Sequence, residues 1–274
     1  MTTTLRPTGP LQQGADGAKS RTYDVCVNSR PVGSIALATH DVFGPEVCRV
    51  TDLRIAEPDR GRGRGTVAAL AAEEVARGWG CARIEATVPA DATAALRLAT
   101  ALGYVERNRT MAKPLSDEVP ALPDGVAWRP MTEDEYVSWL AEKVEAYTLD
   151  WVERGVPEAE ARAKSESDHA RLLPQGLATP DTWLSVLTSG GTRVGTLWVA
   201  LQGESGFVYR VEVSEEHRGH GHGRSLMGLA EELTRAAGRH RIGLNVFAGN
   251  VPAHRLYESL GYEPDAYYLY KPLL

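Results

Sequence analysis

Two short stretches alternate glycine with basic or imidazole side chains. One is Arg60, Gly61, Arg62, Gly63, Arg64 and Gly65; the other is Arg218, Gly219, His220, Gly221, His222 and Gly223. Glycine at every second position lets the main chain approach a ligand without side-chain obstruction. Where such a stretch opens a helix, its outward N–H groups carry positive partial charge. That combination is an anion site suited to a pyrophosphate. Arg218 and Arg224 in one stretch, and Arg60 and Arg64 in the other, add cationic contacts, and Ser225 sits in the first turn that follows. Neither stretch is a Walker A loop, and the spacing is not GxGxxG. Taken alone, the arginine-rich stretch also reads as a solvated loop or an RNA-binding patch. His217, His220 and His222 invite a metal reading. Alternating histidines in a glycine loop point outward, however, and no cysteine or carboxylate completes a ligand set, so no metal is expected.

The elements around the loops set their meaning. Phe207–Val213 has β-type residues, and Leu226, Leu229, Ala230 and Leu233 then recur at helical spacing, so the second loop joins a strand to a helix. The first loop has the same context because the chain contains itself twice. At a constant offset of 158 residues, Glu73 falls on Glu231, Arg83 on Arg241, Tyr104 on Tyr262 and Lys113 on Lys271. The copies differ at their starts. In the second, a strand over 126–129 precedes a capping-box pair, Thr132 and Glu135. Val137, Leu140, Val144, Tyr147 and Trp151 then follow at helical spacing, and Pro157 opens a further helix reaching about Leu173. The first copy starts directly at a strand pair, Tyr23–Val27 and Val32–Thr39, joined by a turn at 28–31.

Composition narrows the function. Apolar residues make up 43% of the 274 and charged residues 24%, as in an ordinary globular chain. The net charge of −6 argues against nucleic-acid or anionic-membrane partners. No apolar run approaches a membrane span, and the first 20 residues lack the pattern of a secretory signal. Cys26, Cys48 and Cys81 are odd in number and unpaired in spacing, which fits a reduced cytoplasm. The expected layout is a flexible tail over 1–20, a domain over 21–115, a linker over 116–127 and a second domain over 128–274.

These residues resemble the GNAT superfamily, the GCN5-related N-acetyltransferases. The family loop reads Q/R-x-x-G-x-G/A, matched by Arg218–Gly223 and by Arg60–Gly65. A second family element, N-x-x-A-x-x-x-Y-x-x-x-G-F/Y, is matched by Asn250, Ala253, Tyr257, Gly261 and Tyr262. The resemblance implies an α/β (α+β) fold of two GNAT-like domains. Each is a mixed, mostly antiparallel sheet flanked by helices and splayed beside the loop, where acetyl-CoA fits. It implies acetyl-CoA as cosubstrate, held by Val211, Val213, Arg218, Gly219, His220, Gly221, His222, Gly223, Arg224, Ser225, Asn250 and Ala253. Tyr257 is then the general acid toward the leaving thiolate. In the first copy Ala92 stands for Asn250 and Ala99 for Tyr257, so that half is expected to be degenerate. It retains Arg60, Gly61, Gly63 and Gly65 as a loop able to hold coenzyme A.

Acetyl transfer also needs a carbonyl polarised by main-chain N–H groups, here around Val211–Val213. An amine of pKa near 10 must be deprotonated before it attacks. Glu212 is the leading candidate base, on the opposite strand face from Val211 and Val213 unless a bulge re-aims it; Glu204 and Tyr209 are rivals. The expected function is transfer of acetyl from acetyl-CoA to a primary amine of a small molecule or peptide, by a cytoplasmic protein. It is a monomer built as a pseudo-dimer of two halves, or a homodimer. The alternative is a non-catalytic acyl-CoA-binding or sensor protein. The aromatic group Trp183, Trp198, Phe207, Tyr209, Tyr267, Tyr268 and Tyr270 reads as core and sheet packing, with some members able to line an acceptor pocket.

Overall fold

A computed structural model describes residues 2–40, 43–116, 121–153 and 156–273. Met1 of the expected tail, residues 41–42 of the first domain, residues 117–120 of the linker, and residues 154–155 and 274 of the second domain lie outside the described residues.

The first repeat runs β1 (Thr3–Pro7), β2 (Gln12–Gln13), β3 (Lys19–Val27), β4 (Arg30–His40), β5 (Gly44–Ile55), α1 (Arg64–Gly78), β6 (Arg83–Pro89), α2 (Thr93–Ala101) and β7 (Val105–Pro114). The second repeat runs β8 (Val126–Pro130), α3 (Glu133–Val152), α4 (Glu158–Leu172), β9 (Thr182–Ser189), β10 (Thr192–Gln202), β11 (Ser205–Val213), α5 (His222–Ala236), β12 (Arg241–Phe247), α6 (Val251–Ser259) and β13 (Glu263–Pro272). The fold is mixed α/β, and its strand pairs are mostly antiparallel. The parallel pairs β5–β6 and β11–β12 fall at matching places in the two repeats.

The residues expected to form a flexible tail include two strands. β1 pairs antiparallel with β3 from Thr3 opposite Val27 to Pro7 opposite Tyr23, and β2 pairs with β3 at Gln12 and Gln13. Leu5 packs on the apolar core of the first unit, which offsets the cost of ordering the segment. The expected hairpin is present. Asn28 and Ser29 take positive φ (48° and 69°), the two-residue turn whose twist matches that of its strands. Among the described residues no α-helix precedes α1, so the first repeat does lack counterparts of α3 and α4.

The helices of the second repeat begin where the capping box puts them. Thr132 accepts a hydrogen bond from the Glu135 N–H, and the Glu135 carboxylate accepts from the Thr132 N–H. Arg129 forms two further bonds to that carboxylate, which drops its pKa to about 2. α5 is amphipathic and buries Leu226, Met227, Leu229, Ala230 and Leu233.

Packing does not follow the repeat boundaries. One unit gathers residues 1–110, 246–250 and 264–274; the other gathers 111–245 and 251–263. In the first, β13 pairs with β6 from Ala266 opposite Pro89 to Pro272 opposite Arg83. Lys271 ion-pairs with Glu73 at 2.7 Å and lies over the Tyr104 ring, while Leu273 N–H donates to Ala82 O at 2.8 Å. In the second unit the equivalents 158 residues away do the same. Lys113 ion-pairs with Glu231 at 2.8 Å and lies over the Tyr262 ring, and Leu115 N–H donates to His240 O at 2.8 Å. The end of β7 and nearly all of β13 therefore pack in the unit built mainly from the other repeat. Sequence similarity marks where repeats begin and end but carries no information about which copy receives a terminal strand.

Candidate active site in the C-terminal repeat

The candidate site is built on β11. Opposite Trp198 and Val199 the pairing skips one residue, so Tyr209 forms a bulge between Val208 and Arg210. β12 accompanies β11 only at Gly206, Phe207 and Val208. Past the bulge one edge of β11 is left open. Ser214 N–H donates to Val194 O at 3.0 Å, toward β10. N–H groups two residues apart on a strand point the same way, so that of Glu212 also faces β10 and those of Val211 and Val213 face the open edge. They meet no ladder partner among the described residues. The first repeat repeats the arrangement: pairing of β5 with β6 ends at Val50, and the next residue, Thr51, is a bulge.

After β11 the chain turns through the glycine loop. Gly219 and Gly221 take φ of 79° and 83°, a left-handed backbone that side chains other than glycine's resist. The loop delivers the chain to the N-terminus of α5, whose first N–H groups lack helical partners. The first loop has the same backbone, with Gly61 and Gly63 at 69° and 73°. Arg218 Nε donates to Val213 O and braces the loop against the strand.

Two contacts bring α6 against the start of α5. Arg224 donates to Ser259 Oγ at 2.8 Å, and a Cβ on Gly223 would meet Leu256 Cδ2 at 3.1 Å. Tyr257, the next residue after Leu256, is 6% exposed, and burial pushes its phenol up to about 12. Its hydroxyl has no hydrogen-bond partner among the described residues. The site thus combines two open main-chain donors, a helix N-terminus behind a glycine loop, and an unengaged, protonated phenol. Asn250 immediately precedes α6 and is exposed. It belongs to the other packing unit, as do Arg60–Gly65.

The histidines depart from expectation at one position. His220 is exposed, but His222 is buried in the first turn of α5, its ring centre 6.2 Å from that of His220 and 6.4 Å from that of His217. Its pKa is lowered, first by burial and then by the two neighbouring imidazoles. Helix α5 takes position 222 inward, which a loop reading of the sequence overlooks. No cluster of three metal-ligating side chains occurs among the described residues.

Glu212 projects to the α3 face, as strand alternation requires. Its carboxylate lies 2.5 Å from the ammonium of Lys143, a buried residue of α3, and 3.9 Å from Arg210. Glu212 and Lys143 line a cavity of about 120 Å³ with Glu142, Arg193, Gly195, Thr196 and Ser214. Of the rival bases, Glu204 is almost fully exposed, and the Tyr209 hydroxyl accepts from Gln202 Nε2. The expected aromatic group divides. Trp198 and Tyr209 stack at 4.7 Å beneath α3 and α4, whereas Tyr267, Tyr268 and Tyr270 belong to β13 in the other unit. Sequence reasoning missed His169, Lys143 and Trp139 in this region. Trp139 and Lys143 fall outside the apolar series read for α3, whose first member, Val137, is exposed.

The sequence pattern of a known family covers both repeats, at residues 5–104 and 138–262. The chain belongs to the acetyltransferase (GNAT) family. It is 32% identical over 254 residues to a mycothiol acetyltransferase of Thermobispora bispora, a match covering 85% of this chain and 81% of that protein. The N-acetyltransferase YycN of Bacillus subtilis is 31% identical over 141 residues, 49% of this chain and 90% of the relative. Among solved structures, a GCN5-related N-acetyltransferase from Sphaerobacter thermophilus has the same fold. Its TM-score is 0.56 at 20% identity, over 92% of this chain and 80% of that one. This chain is therefore a tandem GNAT protein and an acyltransferase. None of its described helices is long and apolar enough to cross a membrane.

Proposed function

We propose that the C-terminal repeat transfers an acetyl group from acetyl-CoA to a primary amine of a small molecule or peptide. The observation that carries this reading is the pair of open N–H groups, Val211 and Val213, in the same packing unit as the free phenol of Tyr257. Acetyl-CoA supplies a diphosphate, a thioester carbonyl and a leaving thiolate, and the residues present suit each. The loop from Gly219 to Gly223 and the first turn of α5 would hold the diphosphate. The Val211 or Val213 N–H would donate to the carbonyl oxygen as it gains charge, an effect of about 3 kcal/mol on the transition state. Tyr257 would donate a hydrogen bond to the departing sulfur. The acceptor amine, cationic at neutral pH, gives up a proton before it attacks.

For the acceptor, the relatives named mycothiol acetyltransferase favour a small molecule. The N-terminal repeat supports a different role. It has the same loop backbone, but Ala99 stands where Tyr257 is. We assign it to coenzyme A binding without transfer. Mass spectrometry of an amine panel incubated with the protein and acetyl-CoA tests the whole reading. An acetylated product that disappears in Tyr257→Phe and Gly221→Ala variants supports it. Binding of coenzyme A without turnover across the panel would instead favour the acyl-CoA sensor.

A further inference from the structure

Acetyl transfer to an ammonium requires a base, and the carboxylate nearest the open strand, Glu212, is held by the Lys143 ammonium. One neighbouring group has the form a base needs. His169, on α4, is 8% exposed. Its Nδ1 lies 2.8 Å from the Ser165 carbonyl oxygen. A carbonyl accepts only, so Nδ1 carries the proton and the lone pair resides on Nε2. Nε2 has no hydrogen-bond partner among the described residues. The His169 ring is 5.7 Å from the ring of Trp198, whose indole N–H is buried and likewise lacks an acceptor. A free acceptor and a free donor on adjacent buried rings are two unmet hydrogen-bonding groups that one further polar group, an amine or a water bridging to it, would satisfy.

The location fits the chemistry. Trp198 pairs across the strands with Arg210, so its side chain, Arg210 and Glu212 share the α3–α4 face of the sheet. The next residue along β11 is Val211, one of the two open N–H donors, about 3.4 Å further on. Three charged or titratable groups bear on His169. They are Asp168 on its own helix, paired to Lys164 and Arg171, Tyr147 on α3, with ring centres 6.0 Å apart, and Arg210 on β11. Burial first, and Arg210 in addition, lower its pKa, so the imidazole is neutral at pH 7.

We propose that His169 is the base that deprotonates the acceptor ammonium, directly or through one water, in the reaction assigned above. The Nε2 lone pair takes one proton from the ammonium and later releases it to solvent. The freed amine lone pair forms the bond to the acetyl carbon as the carbon–sulfur bond breaks. The second proton lost from nitrogen ends on the sulfur, so ammonium and thioester give amide, thiol and one released proton. The inference rests on the acetyltransferase reading.

The test is His169→Asn in the full chain, because asparagine retains a donor for the Ser165 carbonyl and has no Nε2. With an amine that the wild-type protein acetylates, kcat/KM for that amine should fall about 100- to 1000-fold. Coenzyme A affinity should stay within a factor of about three. The acidic limb of the wild-type pH profile, below about pH 6.5, should vanish. A second measurement needs no variant: the pKa of His169 titrated by NMR in the wild-type protein should equal that of the kinetic limb. A His169→Asn rate within threefold of wild type, an unchanged limb, or a mismatch between the two pKa values overturns the assignment while leaving the acetyltransferase reading intact. Loss of the limb in Glu212→Gln instead would return the role to Glu212. A wild-type protein that acetylates nothing in the panel refutes both readings.

Discussion

The unengaged hydroxyl of Tyr257 makes Tyr257→Phe the most informative perturbation of the transfer step. Burial raises that phenol to about 12, whereas a thiol titrates near 8.5. Complete proton transfer to a thiolate would be uphill by about 3.5 pK units, or ~5 kcal/mol at 1.36 kcal/mol per unit. In the proposed transfer the phenol would therefore donate a hydrogen bond to developing charge rather than act as a full acid. A hydrogen bond to a charged group contributes about 1.5–3 kcal/mol, which converts to a loss in kcat of about 10- to 150-fold in the variant. Stability should not change, since the hydroxyl has no protein partner to lose. The assay is single-turnover acetyl transfer by stopped flow or rapid quench, with coenzyme A affinity by calorimetry and Tm by scanning fluorimetry. Tyr257 should add no limb to the pH profile between 6 and 9, because it stays protonated throughout. An unchanged single-turnover rate, or a loss appearing wholly in coenzyme A affinity, would refute the reasoning.

Other expectations follow from separate features. Gly221→Ala places a Cβ where nothing lies within 4 Å but forces a left-handed backbone, at about 1–2 kcal/mol. Coenzyme A binding by calorimetry should weaken roughly tenfold while the fold persists. Lys271→Met leaves the buried Glu73 without its closest cation, and chemical denaturation should show a loss of about 3 kcal/mol. Cleavage at a protease site introduced into residues 117–120 should leave both fragments co-eluting on size exclusion, since each packing unit includes residues of the other repeat; fragments that separate as folded species would contradict this packing. His169 and His222 both have lowered pKa values. The unfolded chain then binds more protons, so stability present at neutral pH is lost as pH falls below about 6.5. Tm measured from pH 7.5 to 5.5 should decline, and less steeply in His222→Asn.

Much of the site was legible in the sequence because it is local. A glycine loop between a strand and a helix needs only a few consecutive residues, and its anion-binding geometry comes from main-chain N–H groups that any such segment presents. Tyr257 was legible through its spacing from Asn250 and Gly261. The repeat was legible because two copies of one sequence are compared without reference to space, and the capping box of Thr132 and Glu135 located α3 in the same local way.

What only the tertiary structure decided depends on residues far apart in the chain. Whether Glu212 is a free carboxylate depends on Lys143, brought to it by the packing of α3 on β11. Whether His169 is buried and neutral depends on its packing beside Trp198 of β10. The exchange of β7 and β13 is likewise invisible locally, because Lys113 and Lys271 have matching neighbours and either repeat offers the same glutamate and tyrosine to receive them. Spacing along the chain reports backbone geometry, which short-range sterics and hydrogen bonds set. Charge pairing, desolvation and strand partnership are set by long-range contacts that the final packing alone selects.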